Sequence, residues 1–200
     1  MTRLAAAAKR AEEGARLMSF WIVLGILVAI GLWLIALYNG LVGGRNQSQT
    51  AWSQIDVQLK RRHDLIPNLV QVVKDAMGYE QETLTKIVQA RNTAAAASGP
   101  AQAGPAEAAL SQATRGLFAL MENYPQLKAN DNVKQLQEEL TTTENKIAFA
   151  RQFYNDSVNA YNNRRQTFPA VLAAASFGFG PIELFNMPET EREVPKVALR

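Results

Sequence analysis

The chain has 200 residues, 48% of them hydrophobic, a formal net charge of +3 and no cysteine. The missing cysteines exclude disulfides, thiol nucleophiles and cysteine metal sites together, and a single histidine, His63, excludes a two-histidine metal site within one subunit. Nor does the positive charge mark a nucleic-acid binder, because Asn39 to Arg200 holds 17 Lys and Arg against 16 Asp and Glu with no basic stripe.

Residues 1–19 form an alanine-rich leader that carries Arg3, Lys9, Arg10 and Arg16. It suits a short amphipathic helix on a membrane surface or a frayed end. Residues 20–38, FWIVLGILVAIGLWLIALY, are nineteen consecutive positions without a charge. As a helix they span roughly 28 Å at 1.5 Å per residue, close to the ~30 Å hydrocarbon core of a bilayer. The run is apolar on every side and so leaves no face for water. It reads as a single-pass anchor, with Phe20, Trp21, Gly25, Ala29, Trp33 and Tyr38 as anchor positions and Trp21 and Tyr38 at headgroup level. Its apolar core is longer than the ~7–15 residues of a cleavable signal, and Tyr38-Asn39-Gly40 offers no Ala-x-Ala site. An uncleaved anchor is therefore expected. Arg45 is the one basic residue in the twenty positions after Tyr38. The basic leader thus predicts a cytoplasmic N-terminus and a bundle on the outer side.

Residues 39–176 predict a helical bundle. Trp52, Ile55, Leu59, Arg62, Ile66, Leu69, Val73 and Ala76 recur at steps of three and four, and Leu84, Ile87, Val88 and Arg91 continue the stripe. Pro67 interrupts it, so a break or a kink is expected there, with Asp64 able to cap a second segment. The stretch near 94–107, AAAASGPAQAGPAE, is low in complexity and holds two Gly-Pro pairs, which predicts a loop. Ala108 to Asn123 reads as a shorter helix ended by Tyr124-Pro125. Beyond Asn130 or Asp131, either of which can cap, Val133, Leu140, Ile147, Tyr154 and Tyr161 follow at strict seven-residue spacing. That is a seam for packing against neighbouring helices. Phe168-Pro169 closes this helix. Residues 177–200 form an irregular tail rich in Gly, Pro and aromatics. Its Phe177, Phe179 and Phe185 should dock on the bundle or on a neighbouring copy. No sustained period-two alternation supports a sheet, so the fold class is all-α: an N-terminal transmembrane helix, an antiparallel long-helix bundle and an irregular C-terminal tail.

A search for chemistry finds no Gly-rich phosphate loop and no nucleophile elbow. No catalytic residue, metal ligand or cofactor is expected. His63 predicts a plain helix-end or surface role, with a general base as the rival reading. Glu138, Glu139 and Glu144 with Lys134 and Lys146 read as a solvated helix face. Trp52 as a packing position and polar residues woven among apolar ones, including Asp56, Arg91, Arg151 and Asn155, suggest a polar network that fixes register, with ligand binding as the rival reading. In it Asp56 is expected to pair with Arg91 or Arg151. Gly25 and Ala29, then Ala36, Gly40 and Gly44, keep a small-xxx-small spacing that lets two helices approach closely.

The segments YNGLV, RN, AWSQIDVQLKRRHDLIPNLVQVVK, ARN, ENKIAFARQFYND, YN, FP and FGF, in order from Tyr38 to Phe185, resemble the LemA family. The resemblance implies one N-terminal membrane helix, a C-terminal bundle of long antiparallel helices and no established catalytic activity. It implies a bacterial inner-membrane location. Family descriptions often put the N-terminus outside, opposite to what this leader suggests. The matching positions Trp52, Asp56, Arg61, Arg62, Pro67, Asn68, Arg91, Arg151 and Asn155 bring no agreed role with them.

Together these features predict a non-enzymatic scaffold of the cell envelope whose partners are membrane lipid and copies of itself. Gly40, Gly44, Phe177, Phe179 and Phe185 are the expected assembly contacts. The alternative is a monomeric or dimeric adaptor that presents its bundle to another envelope protein, such as a membrane protease.

Overall fold

In a computed structural model, the backbone is described for residues 2–77 and 81–187, and side chains from residue 14 onward except 15, 76, 77 and 81. The leader's amphipathic character, the last stripe member Ala76 and the tail beyond Met187 lie outside the described residues. Among the described residues there are six helices and no strand. They are α1 (Thr2–Met77), α2 (Gln81–Ala96), α3 (Gly99–Met121), α4 (Pro125–Ala129), α5 (Asp131–Gln166) and α6 (Ala170–Ser176). The all-α reading stands.

A single helix of 76 residues carries the chain from the leader through the apolar run into the bundle. Apart from the half-buried Leu37, the large apolar side chains of 20–38 lie exposed along it. Past Tyr38 the predicted stripe turns inward: Ile55, Leu59, Arg62, Ile66, Leu69 and Val73 are all buried. No break occurs at Pro67, which lies inside α1. A proline lacks the N–H that would bond the carbonyl four residues earlier, here that of His63. Arg91 of α2 replaces the missing donor, its Nε lying 3.1 Å from the His63 carbonyl oxygen. The ring itself lies exposed.

The predicted loop near 94–107 is also helical, with only Ala97 and Ser98 outside α2 and α3. Alanine is the best helix former, and Pro100 sits in the first turn of α3, where no N–H is needed. Gly99, at φ +76°, supplies the turn between the two helices. Gln102 Oε1 accepts from the Ser98 N–H at 3.2 Å. The predicted helix from Ala108 therefore begins nine residues earlier, at Gly99.

Helix α5 begins as expected, with Asn130 Oδ1 accepting from the N–H groups of Asn132 and Val133. Its seam of Val133, Leu140, Ile147, Tyr154 and Tyr161 is fully buried. The pairs Gly40 with Arg164, Gly44 with Tyr161 and Arg62 with Glu144 show that α5 runs antiparallel to α1. Three apolar clusters follow one another along the bundle. Near the anchor are Leu41, Tyr161, Ala174 and Phe179. Next come Ala51, Ile55, Leu59, Ala103, Ile147, Tyr154, Val158 and Phe185. The far end is packed by Leu65, Ile66, Leu69, Leu110, Leu140 and their neighbours.

Candidate functional site

Between the middle and far clusters the core is polar. Leu59, Ala103 and Ile147 lie on one side and Ile66, Leu110 and Leu140 on the other. The positions between them on α1, α3 and α5 include Arg62, His63, Glu107, Thr143 and Glu144, and Ser111 directly follows Leu110. Arg62 is buried, and its Nη2 donates to Ser111 Oγ at 2.8 Å and to the Glu107 carbonyl at 3.3 Å. Its Nη1 lies 2.8 Å from Glu144 Oε2 and 3.6 Å from Glu107 Oε2. Ser111 Oγ donates onward to Glu144 Oε1 at 3.0 Å. Glu107, fully buried, accepts from His63 Nε2 across 2.7 Å. One guanidinium thus ties α1 to α3 and α5 and meets two carboxylates in the layer. A buried charge demands such partners.

The layer revises several expectations. His63 is buried against Glu107 rather than placed at a surface. Glu144 turns to Arg62 and Glu139 lies 3.7 Å from Arg61, so this side of α5 is not simply solvated. Asp56 pairs with Lys60 at 2.7 Å, one turn away on the same helix, and not with Arg91 or Arg151. Arg91 instead serves the His63 carbonyl and Asn92. Arg151 lies half-buried on α5, four residues past the buried Ile147. The residue missed was Glu107, hidden in a segment whose composition reads as loop. Among the described residues no group of three His, Asp or Glu side chains is placed to hold a metal ion.

A second constellation grips the tail. Residues 180–187 run extended along α5, and two Tyr-Asn pairs seven residues apart hold their backbone. Tyr154 donates to the Glu183 carbonyl at 2.8 Å and Tyr161 to the Gly180 carbonyl at 2.9 Å. Asn155 bonds both the N–H and the carbonyl of Phe185, and Asn162 does the same for Ile182. The order of these pairs makes the tail antiparallel to α5. Burial, and then the nearby Glu183 carboxylate, push the Tyr154 phenol up to about 12, so it remains a donor. Phe185 packs into the middle cluster, with Trp52 edge-on at 5.5 Å. Trp52 also lies 5.5 Å from Tyr154. Over α3 the Asn186 carbonyl presses on Gly104, where any side chain would collide with it.

Most of the small and aromatic positions expected to meet another copy are used within the chain. Phe185 and Phe179 are buried in the chain's own bundle. Gly44 admits Tyr161, whose Cδ2 would lie 3.3 Å from an added Cβ, and the Gly40 carbonyl accepts from Arg164 at 2.8 Å. Phe177 is half-exposed beside Tyr38, with ring centres 5.4 Å apart. Gly25 has open space around it.

A helical bundle prolonged by one apolar helix long enough to cross a membrane, with a buried ionic layer in its core, defines the class. The model of the LemA family matches residues 51–199, and the chain belongs to that family. It is similar to the protein LemA of Metamycoplasma hominis, at 25% identity over 177 residues that cover 86% of this chain and 81% of that protein. It is also similar to the magnetosome protein MamQ of Magnetospirillum gryphiswaldense, at 26% identity over 80% of this chain and 68% of that protein. A magnetosome protein MamQ 2 of Paramagnetospirillum magneticum matches at 25% identity over the same shares.

Proposed function

We propose that this chain is a non-enzymatic scaffold of the bacterial cell envelope, anchored by residues 20–38 in the inner membrane and assembled with copies of itself. The observation that carries the reading is the outer face of α5. Phe149 and Phe153 are four residues apart, so they share a helix face, and they are 74% and 47% exposed. Two neighbouring phenylalanines in water are a surface in want of a partner. A second copy is the partner that the anchor favours. Single-span copies stand in one bilayer with their bundles at one height, and confinement to that plane raises their effective concentration. Phe149 then lies at the same level in every copy, roughly 25–30 Å beyond Tyr38 at 1.5 Å per residue. The small-residue spacing in the span, open around Gly25, can add to the contact.

The test is the mass of the full chain extracted in mild detergent, measured by light scattering with particle imaging. A large uniform particle made only of this chain is expected, and a Phe149→Glu, Phe153→Glu variant should fall to one or two copies. A wild-type mass of one or two copies would overturn the scaffold. Co-extraction of a stoichiometric foreign protein would put the adaptor in its place.

A further inference from the structure

The base of the bundle, where α1 leaves the apolar run, is unlike the rest of its surface. Helix α6 buries Ala170, Ala173 and Ala174 against the bundle at the level of Leu41. Its opposite face and its flanks show large apolar side chains to the outside. Phe168 is 75% exposed, Leu172 67%, Phe177 51% and Val171 42%. Alanine inward with leucine and phenylalanine outward is the reverse of a helix built to dock on its own core.

Its position says what covers this face. Phe177 and Phe179 lie edge-on to Tyr38, at 5.4 and 5.5 Å, and Tyr38 is the last residue of the apolar run. The exposed face is thus continuous with the lipid-facing surface of the span and lies at the depth where the span meets headgroups. The charge pattern agrees. Residues 39–55 and 157–182, which run from this end up to the middle cluster, contain no Asp or Glu but hold Arg45, Arg164 and Arg165. Arg164 is fixed over the Gly40 carbonyl at 2.8 Å, half a turn beyond Tyr38. Cations just outside an apolar face suit the anionic headgroups of a leaflet.

We propose that α6 with Phe168 and Phe177 is a second membrane contact, a collar that lies in the headgroup and upper acyl region and seats the bundle directly on the bilayer. The collar rests on the span being a membrane anchor and is independent of self-assembly.

Because the chain has no cysteine, single nitroxide labels test this cleanly. Full chains bearing Leu172→Cys or Phe168→Cys are labelled and reconstituted at low density in vesicles of phosphatidylethanolamine with phosphatidylglycerol. Leu27→Cys, within the span, and Gln126→Cys, exposed in α4, serve as references. Helicity equal to that of the unlabelled chain secures that the variants are folded. Labels at 168 and 172 are expected to collide several-fold more with oxygen than with a water-soluble nickel chelate, as Leu27→Cys does. Equal access to the chelate at 168, 172 and 126, with Leu27→Cys still in lipid, would overturn the collar and leave the anchor standing. Spin–spin broadening at 172 without oxygen preference would overturn it in favour of contact between copies. A chelate-accessible Leu27→Cys would remove the anchor and the collar together.

Discussion

Arg62 shows how a residue acquires its role from positions far along the chain. Its place in the apolar stripe of α1 was legible at steps of three and four. Its partners were not, because Glu107 lies 45 residues away in an alanine-rich segment whose Gly-Pro pairs suggest a loop. Helical continuity there, and not local composition, brings the carboxylate to the guanidinium. His63 was misjudged for the same reason, since only Glu107 makes its burial tolerable. Arg62→Ala is expected to destabilise the bundle by about 3–5 kcal/mol, because it strands a buried carboxylate. Arg62→Met combined with Glu107→Gln should recover part of that loss, since a neutral amide still meets His63 and leaves no stranded charge beside it. Urea unfolding of the detergent-solubilised chain, followed by helicity, reads both. Equal losses in the single and the double variant would show that the layer is held by something other than this pairing.

Helix α5 was the most legible element, its seven-residue seam matching the buried face position by position. The same repeat also announced the tail clamp, through Tyr-Asn at 154–155 and again at 161–162, but nothing local says what those pairs hold. Helix α1 was legible except at Pro67, where the rule that proline breaks a helix gives way to a donor from α2. That substitution makes two residues interdependent. Arg91→Met should cost about 1 kcal/mol or somewhat more by leaving the His63 carbonyl without its donor. In a Pro67→Ala background the backbone N–H returns, so the same Arg91→Met change should cost measurably less. A double-mutant cycle on unfolding free energies measures the difference. A coupling of zero would mean that Arg91 and Pro67 act separately.

At the scale of the whole molecule, the long apolar helix and the helical bundle could be read directly, while the seating of one on the other could not. The leader sets four basic residues against Arg45 alone in the flanking sequence, but the fold brings Arg164 to the Gly40 carbonyl and gives the exit a basic rim of its own. With the N-terminus inside, a Gln126→Cys variant should react with a membrane-impermeant maleimide in intact spheroplasts. Labelling that requires lysis would place the bundle in the cytoplasm. Either way, the unbroken passage of α1 from span to bundle has a mechanical consequence. No hinge separates the two, so the bundle must follow any tilt of the segment beneath it. A span longer than the local hydrocarbon thickness accommodates by tilting. A tilt of about 10° would swing Ile66, about 42 Å beyond Tyr38 along the helix, sideways by about 7 Å. In the proposed anchored state the molecule would be a lever with its short arm in lipid, turning a difference in bilayer thickness into a displacement of the bundle.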